Sequence, residues 1–236
     1  MAMATTAGAH VRDNNGVLAA LEKRTLIWLA RRIPPRINSD HLSGLGLAAM
    51  FGTGISFTAF LLTPWAAVGV VISLALNWLG DSLDGTLARV RGHQRPRYGY
   101  YVDHAIDLAG ISILMTGLAC SGLMSPLAAV IFLAAYLLVS AETYLGTHAH
   151  GVFRMSALGM GPTELRILLA VGAIRAAFDP FARFGDLGTY RLFDIGGIIG
   201  AIALAMIFVW SASRNTAMLY AAEPLPLGLD EKRVAA

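Results

Sequence analysis

Residues 80–107 read GDSLDGTLARVRGHQRPRYGYYVDHAID and place four aspartates, Asp81, Asp84, Asp103 and Asp107, directly after the uncharged run WAAVGVVISLALNWL. Asp81 and Asp84 are three residues apart, and Asp103 and Asp107 four, so each pair shares a helix face. The turn-rich VRGHQRPR between them is short, which predicts two antiparallel neighbouring helices whose carboxylates converge at the membrane boundary. An uncompensated carboxylate at such depth costs about 2.5–3.5 kcal/mol, and four together repel one another. Either arginines pair with them or divalent cations sit among them. Arg91, Arg95 and Arg97 lie in the loop, where water and headgroups satisfy them, and only Arg89 is close in register. The donors are hard oxygens with no cysteine nearby, which favours magnesium, manganese or calcium over zinc. Cations beside arginine suit a phosphorylated ligand, since metals neutralise phosphate oxygens and arginine binds them bidentately. A carboxylate of the cluster can take the proton of an attacking hydroxyl.

Gly85 follows Asp84 inside a helical stretch, where glycine costs about 1 kcal/mol against alanine. Ala88 lies three residues on, on the same face. Together they leave a shallow floor beside the carboxylates, open to a ligand or to a closely packed helix. Gly99, four residues before Asp103, has the same two readings.

The elements that carry these residues belong to an all-α membrane protein. Of 236 residues 56% are hydrophobic and only 14% charged, with a mean hydropathy of +0.61, where a soluble domain carries about 25% charged residues. Residues 1–16 read as a disordered N-terminus, and no apolar h-region follows MAMATTAGAHVRDNNG, so a signal peptide is not expected. Residues 17–36 suit an amphipathic helix at the membrane interface, with Trp28 at headgroup depth. Residues 37–221 form the membrane domain, with six spans at about 40–62, 66–91, 99–121, 126–149, 162–178 and 190–213. The fifth is short and charged at both ends. FDPFARFGDLG reads as a surface loop, and residues 222–236 as a polar tail. Cys120 is the one cysteine and reads as a small apolar residue. Small residues such as Gly52, Gly54, Gly196 and Gly200 fit close packing within the bundle.

Lysine and arginine set the orientation. Six spans with a cytoplasmic N-terminus leave Arg175, Arg183 and Arg191 outside and every other lysine and arginine inside. The aspartates and both termini then face the cytoplasm, as expected in a cell inner membrane.

With these residues in view, the chain resembles the CDP-alcohol phosphotransferase family. Its signature reads D-x-x-D-G-x-x-A-R, a spacer, then G-x-x-x-D-x-x-x-D, and Asp81, Asp84, Gly85, Ala88, Arg89, Gly99, Asp103 and Asp107 match all eight positions. The spacer between Arg89 and Gly99 holds nine residues, longer than is usual in the family, and the extra length falls around Pro96, where an insertion costs little. The resemblance implies an enzyme of phospholipid biosynthesis that displaces CMP from a CDP-linked lipid or alcohol, with membrane lipids and no nucleic acid among its expected partners. It implies two Mg2+ (or Mn2+) ions on Asp81, Asp84 and Asp103, with Asp107 joining them or acting as base. Gly85 and Ala88 would make room for cytidine, Arg89 would steady the phosphates, Gly99 would let the helices close, and the enzyme would be a homodimer.

The donor is expected to be CDP-diacylglycerol. The alternative is a CDP-linked head group with a lipid acceptor, because His104 beside Asp103 is similar to the D-H pair of the choline and ethanolamine phosphotransferase branch, and imidazole is an alternative base. Glu164 and Arg166 open the fifth span and are candidates for the acceptor. Glu142, Tyr144, His148, His150 and Arg154 lie at the same depth. Arg154 or Arg166 suits an acceptor phosphate or a positive-inside anchor. A divalent-cation transporter, the reading from another class, would need polar residues continuing across the bilayer, and the second and third spans offer only Ser73, Asn77 and Ser112.

Overall fold

The computed structural model describes residues 17–150 and 162–223. They form seven α-helices and one small hairpin: α1 (Val17–Ala30), α2 (Ser39–Thr58, continued by a 3-10 turn to Leu61), α3 (Ala66–Arg91), α4 (Pro96–Cys120), α5 (Pro126–His150), α6 (Pro162–Phe178), β1 (Phe181–Arg183), β2 (Thr189–Arg191) and α7 (Leu192–Ala222). The expected disordered N-terminus, most of the polar tail, and Arg154 lie outside the described residues.

Local chemistry sets the boundaries. The Asn38 side chain accepts from the His41 backbone N–H, and the Asn38 N–H donates to His41 Nδ1, both at 3.1 Å, which caps α2. Gly92, at φ +68°, ends α3 in the left-handed conformation that glycine takes without a Cβ clash. Pro96 opens α4, where its missing N–H costs nothing. Between α6 and α7 the expected loop is instead an antiparallel hairpin, with Phe181 opposite Arg191 and Arg183 opposite Thr189, turning through Gly185 and Gly188.

Five helices are long and apolar enough to cross a membrane: α2 with its 3-10 turn, α3, α4, α5 and α7. The sixth expected span, α6, has 17 residues, about 25 Å of helix against a hydrocarbon core of about 30 Å. Arg166 near its start meets Asp81, and a Cβ on Gly172 would stand 3.0 Å from the Phe193 ring at the start of α7. α7 continues well past the expected residue 213. Exposed apolar side chains recur at helical spacing, as in Trp65, Val68, Ile72 and Leu76 of α3 or Ile202, Met206 and Val209 of α7. Lipid can cover such faces, since hydrocarbon tails give no drive to bury them.

The interior is held by close backbone approach. A Cβ on Gly80 of α3 would stand 2.7 Å from the Leu42 carbonyl oxygen and 2.8 Å from the Gly46 nitrogen of α2. Gly117 of α4 lies as tightly against Gly54 of α2. α2 is therefore packed on both α3 and α4, while α3 and α4 make little direct contact with each other. The expectation of two adjacent carboxylate helices is thus corrected: their glycines face α2 and their acids repel, so they stand as two walls on a shared floor. α6 flanks α3, and α5 flanks α4. The glycine pair of α7 divides: Gly200 packs on Phe132, whereas nothing lies within 4 Å of a Cβ on Gly196.

α1 lays Leu26 and Ala30 on a satellite core of Leu42, Leu83 and Leu87, at the carboxylate end of α2 and α3. Trp28 is exposed, with the Arg32 guanidinium 3.7 Å over its ring.

Candidate active site

The four aspartates line the two walls at matching depths. α3 and α4 run in opposite directions, so Asp81 and Asp107 are the deeper residues and Asp84 and Asp103 the shallower. Asp81 and Asp107 thus fall at one level of the two helices, and Asp84 and Asp103 at the other.

The two acids of α3 are held by donors that sequence reasoning passed over. Ser43 of α2 donates to Asp84 Oδ2 at 2.6 Å, and Ser39 donates to the Asp84 carbonyl at 2.9 Å. Arg166 of α6 donates from Nε to Asn77 Oδ1 at 2.7 Å and from a terminal nitrogen to Asp81 Oδ2 at 2.8 Å. Asn77 in turn donates to the Gly46 carbonyl at 2.9 Å. Two signals were available. Ser39 and Ser43, and Asn77 and Asp81, are four apart, so each set shares a helix face.

The arginines therefore behave differently from expectation. Arg166, treated as an acceptor ligand or an anchor, is the guanidinium partner of Asp81. Arg91 is not left to water: it donates to the carbonyls of Ile33 (2.7 Å), Pro34 (3.1 Å) and Ile37, tying down the α1–α2 connection. Arg95 pairs with Asp40 at the start of α2, and its guanidinium lies 4.0 Å over the Tyr98 ring. That hydrogen bond raises the Arg95 pKa. Arg89 is exposed and donates to Thr86 Oγ1 at 3.1 Å, and a Cβ on Gly85 would meet its guanidinium at van der Waals distance, 3.4 Å.

Ala88 lines a pocket of about 310 Å³ at the rim, with Ser39, Asp40, Arg91, His93 and Arg95 among its other walls. Gly99 is exposed, and nothing lies within 4 Å of a Cβ placed there. The helix closure expected at Gly99 is not seen: close packing falls at Gly80 and Gly117 instead. His104 points to α5. Its Nδ1 donates to the Tyr100 carbonyl at 2.7 Å, its ring lies 4.2 Å from that of Tyr100 and 5.0 Å, edge-on, from that of Tyr144, and Nδ1 is 3.9 Å from Asp103 Oδ2. Glu164 is exposed on the first turn of α6. Glu142 faces elsewhere, accepting from Ser211 at 2.7 Å and Asn215 at 2.6 Å on α7.

Donor chemistry and charge both suit hard divalent cations. Four carboxylates lie at one end of α3 and α4, and among the described residues Arg166 pairs with one of them, Asp81. Oxygen donors carrying excess negative charge are what Mg2+ or Mn2+ prefers. They do not form a closed shell: among the described residues no group of three or more His, Cys, Asp or Glu is gathered tightly enough to hold an ion.

No curated protein sequence matches the chain. The crystal structure of Mycobacterium tuberculosis phosphatidylinositol phosphate synthase (PgsA1), solved with CDP-DAG bound, has a similar fold at a TM-score of 0.53 and 19% identity, over 88% of this chain and 98% of that one. The sequence pattern of CDP-alcohol phosphatidyltransferases matches residues 43–222, a stretch that begins at Ser43 and takes in both carboxylate walls and Arg166. The chain belongs to the CDP-alcohol phosphatidyltransferase family.

Proposed function

We propose that the protein transfers a phosphatidyl group from CDP-diacylglycerol to the hydroxyl of an acceptor alcohol, releasing CMP at the cytoplasmic face of a cell inner membrane. The observation that carries this reading is the placement of two aspartates on α3 and two on α4 at the same end of the bundle, on helices that share α2 as a floor. The acceptor oxygen forms a bond to the phosphorus that bears diacylglycerol. The bond from that phosphorus to the CMP oxygen breaks, and CMP leaves with the electron pair. The acceptor's proton passes to Asp107, the deeper carboxylate of α4. His104 stays the alternative base: its Nδ1 donates to the Tyr100 carbonyl, which leaves Nε2 as the basic nitrogen. The rim pocket containing Ala88 suits the nucleotide, and Arg89, exposed beside Gly85, can turn to its phosphates. Two Mg2+ or Mn2+ ions, held by Asp81, Asp84, Asp103 and Asp107, would draw charge from the diphosphate oxygens. Ser43 fixes one oxygen of Asp84, and Arg166 fixes one of Asp81, so both acids of α3 are oriented before substrate arrives.

The same reading counts α6 as a sixth crossing, because it leads from Asp81 to the hairpin, and places both termini inside. α1 would lie in the interface with Trp28 among headgroups. A homodimer belongs to the reading through family likeness alone. A transporter is less well supported: Asn77 is consumed by Gly46 and Arg166, and Ser112 donates to the Leu108 carbonyl. No polar path continues from the cleft through these residues.

The test is CMP release by the purified protein from CDP-diacylglycerol, against a panel of glycerol 3-phosphate, inositol phosphate, serine and glycerol. CDP-choline with diacylglycerol serves as the competing pair. Release should stop with EDTA and return with Mg2+. Asp84→Asn and Asp103→Asn should each abolish it while the thermal midpoint is kept. Full activity in either variant overturns the reading, as does cation flux into proteoliposomes without nucleotide.

A further inference from the structure

α5 carries none of the signature residues, yet it forms the wall behind Asp107. Tyr136, Ser140 and Tyr144 are spaced four apart and so rise along one face of that helix. Ser140 donates to the Tyr136 carbonyl at 3.0 Å. α5 packs beside α4, the helix that carries Asp103 and Asp107. The Tyr144 ring is braced edge-on by His104, which is itself stacked on Tyr100. The Tyr136 ring packs on the main core, and among the described residues its hydroxyl makes no hydrogen bond.

We propose that Tyr136 and Tyr144 form the acceptor side of the cleft and position a small polyhydroxy alcohol with its reacting hydroxyl against Asp107. The inference rests on the transferase reading above. The nucleotide has a place at the opposite rim, between the start of α2 and the end of α3, where Ala88 lies. That leaves the α5 side for the second substrate. A phenol suits the task because it both donates and accepts a hydrogen bond. It can hold the oxygens of a polyol without adding charge next to four carboxylates. Diacylglycerol, with one free hydroxyl and two acyl chains, has little use for two phenols in a row. The tyrosines are positioning residues: proton transfer stays with Asp107.

The experiment compares wild type with Tyr136→Phe and Tyr144→Phe, as full chains in detergent-lipid micelles. Glycerol 3-phosphate, inositol phosphate and diacylglycerol are offered as acceptors. Removing one hydroxyl should raise the KM for the polyhydroxy acceptor by about tenfold, the usual effect of one hydrogen bond. The KM for CDP-diacylglycerol and the thermal midpoint should not change. Tyr144→Phe keeps the ring edge on His104, so it remains decisive if Tyr136→Phe lowers the midpoint. An unchanged acceptor KM in both variants overturns the proposal, as does an equal rise in donor KM. A wild type that accepts only diacylglycerol also overturns it while leaving CMP-releasing chemistry intact. A wild type that releases no CMP with any acceptor removes the transferase reading and this inference together.

Discussion

Replacing Arg166 with methionine removes both donors that α6 sends to α3 while keeping an unbranched apolar stem of similar length. Two acceptors lose a partner. Asn77 Oδ1 is on a side chain only 6% exposed, and leaving such a carbonyl without a donor costs about 1–3 kcal/mol. Asp81 loses a charge-assisted bond, and its side chain is 29% exposed, so water recovers part of that loss. The sum is about 3 kcal/mol, which in a chain of this size lowers the thermal midpoint by roughly 6–12 °C. The sign of a second change tests the cause. Asp81→Asn in the Arg166→Met background removes the unbalanced charge and should recover about half of the loss, a coupling typical of residues in one network. Midpoints of the four proteins in matched micelles, with EDTA present throughout, supply the cycle. Adding Mg2+ should then stabilise Arg166→Met more than wild type, because the cation takes over the neutralisation of Asp81. If the two single changes add without coupling, and Mg2+ has no larger effect on Arg166→Met, Arg166 is not balancing the carboxylates.

Gly80→Val sets a Cβ against the Leu42 carbonyl and the Gly46 backbone, neither of which can move alone, and should lower the thermal midpoint and CMP release together. Overpacking of this kind costs about 1–3 kcal/mol. Gly99→Ala, whose Cβ meets nothing within 4 Å, should leave the midpoint unchanged, so that any loss of activity reports on nucleotide binding. Arg91→Ala releases three carbonyls of the α1–α2 connection and should speed proteolytic cleavage between residues 31 and 38, with CMP release retained. Equal cleavage rates would show that Arg91 does not hold this segment.

The carboxylate pattern was legible because its residues are close in sequence. Asp81 with Asp84, and Asp103 with Asp107, announce themselves by helical spacing, and the spans from α3 to α6 fall within a few residues of their expected limits. What escaped has partners far apart in the chain. Arg166 and Asp81 are separated by 85 residues, and Ser43 and Asp84 by 41. No periodicity links them until the packing of α6 on α3, and of α2 on α3, is known. The short connection between α3 and α4 was read as adjacency, but loop length limits separation without demanding contact. Gly80 and Gly117 decide the matter by taking both helices onto α2. The hairpin escaped for another reason: strands of three residues are too short to show an alternating pattern.

α2 explains why the cleft has the width it does. It contributes no aspartate, yet the backbone seam from Gly46 to Gly80 fixes α3 and the seam from Gly54 to Gly117 fixes α4. Side chains at these positions could relax, whereas two backbones in contact cannot, so the distance between the walls is set by main-chain geometry. Repulsion among the acids then opens the cleft without letting it splay, because every outward movement of α3 must break contact at Gly80 and the Ser43–Asp84 bond at once. Asp84 is therefore held in place by the floor and Asp81 by α6. On the other side α5 packs on α4, where the His104 ring lies against Tyr100 and, edge-on, against Tyr144. The α3 wall is thus oriented by charge-assisted bonds and the α4 wall is backed by aromatic packing, an asymmetry that the proposed transfer would use, with the α3 side gripping a diphosphate and the α4 side taking a proton.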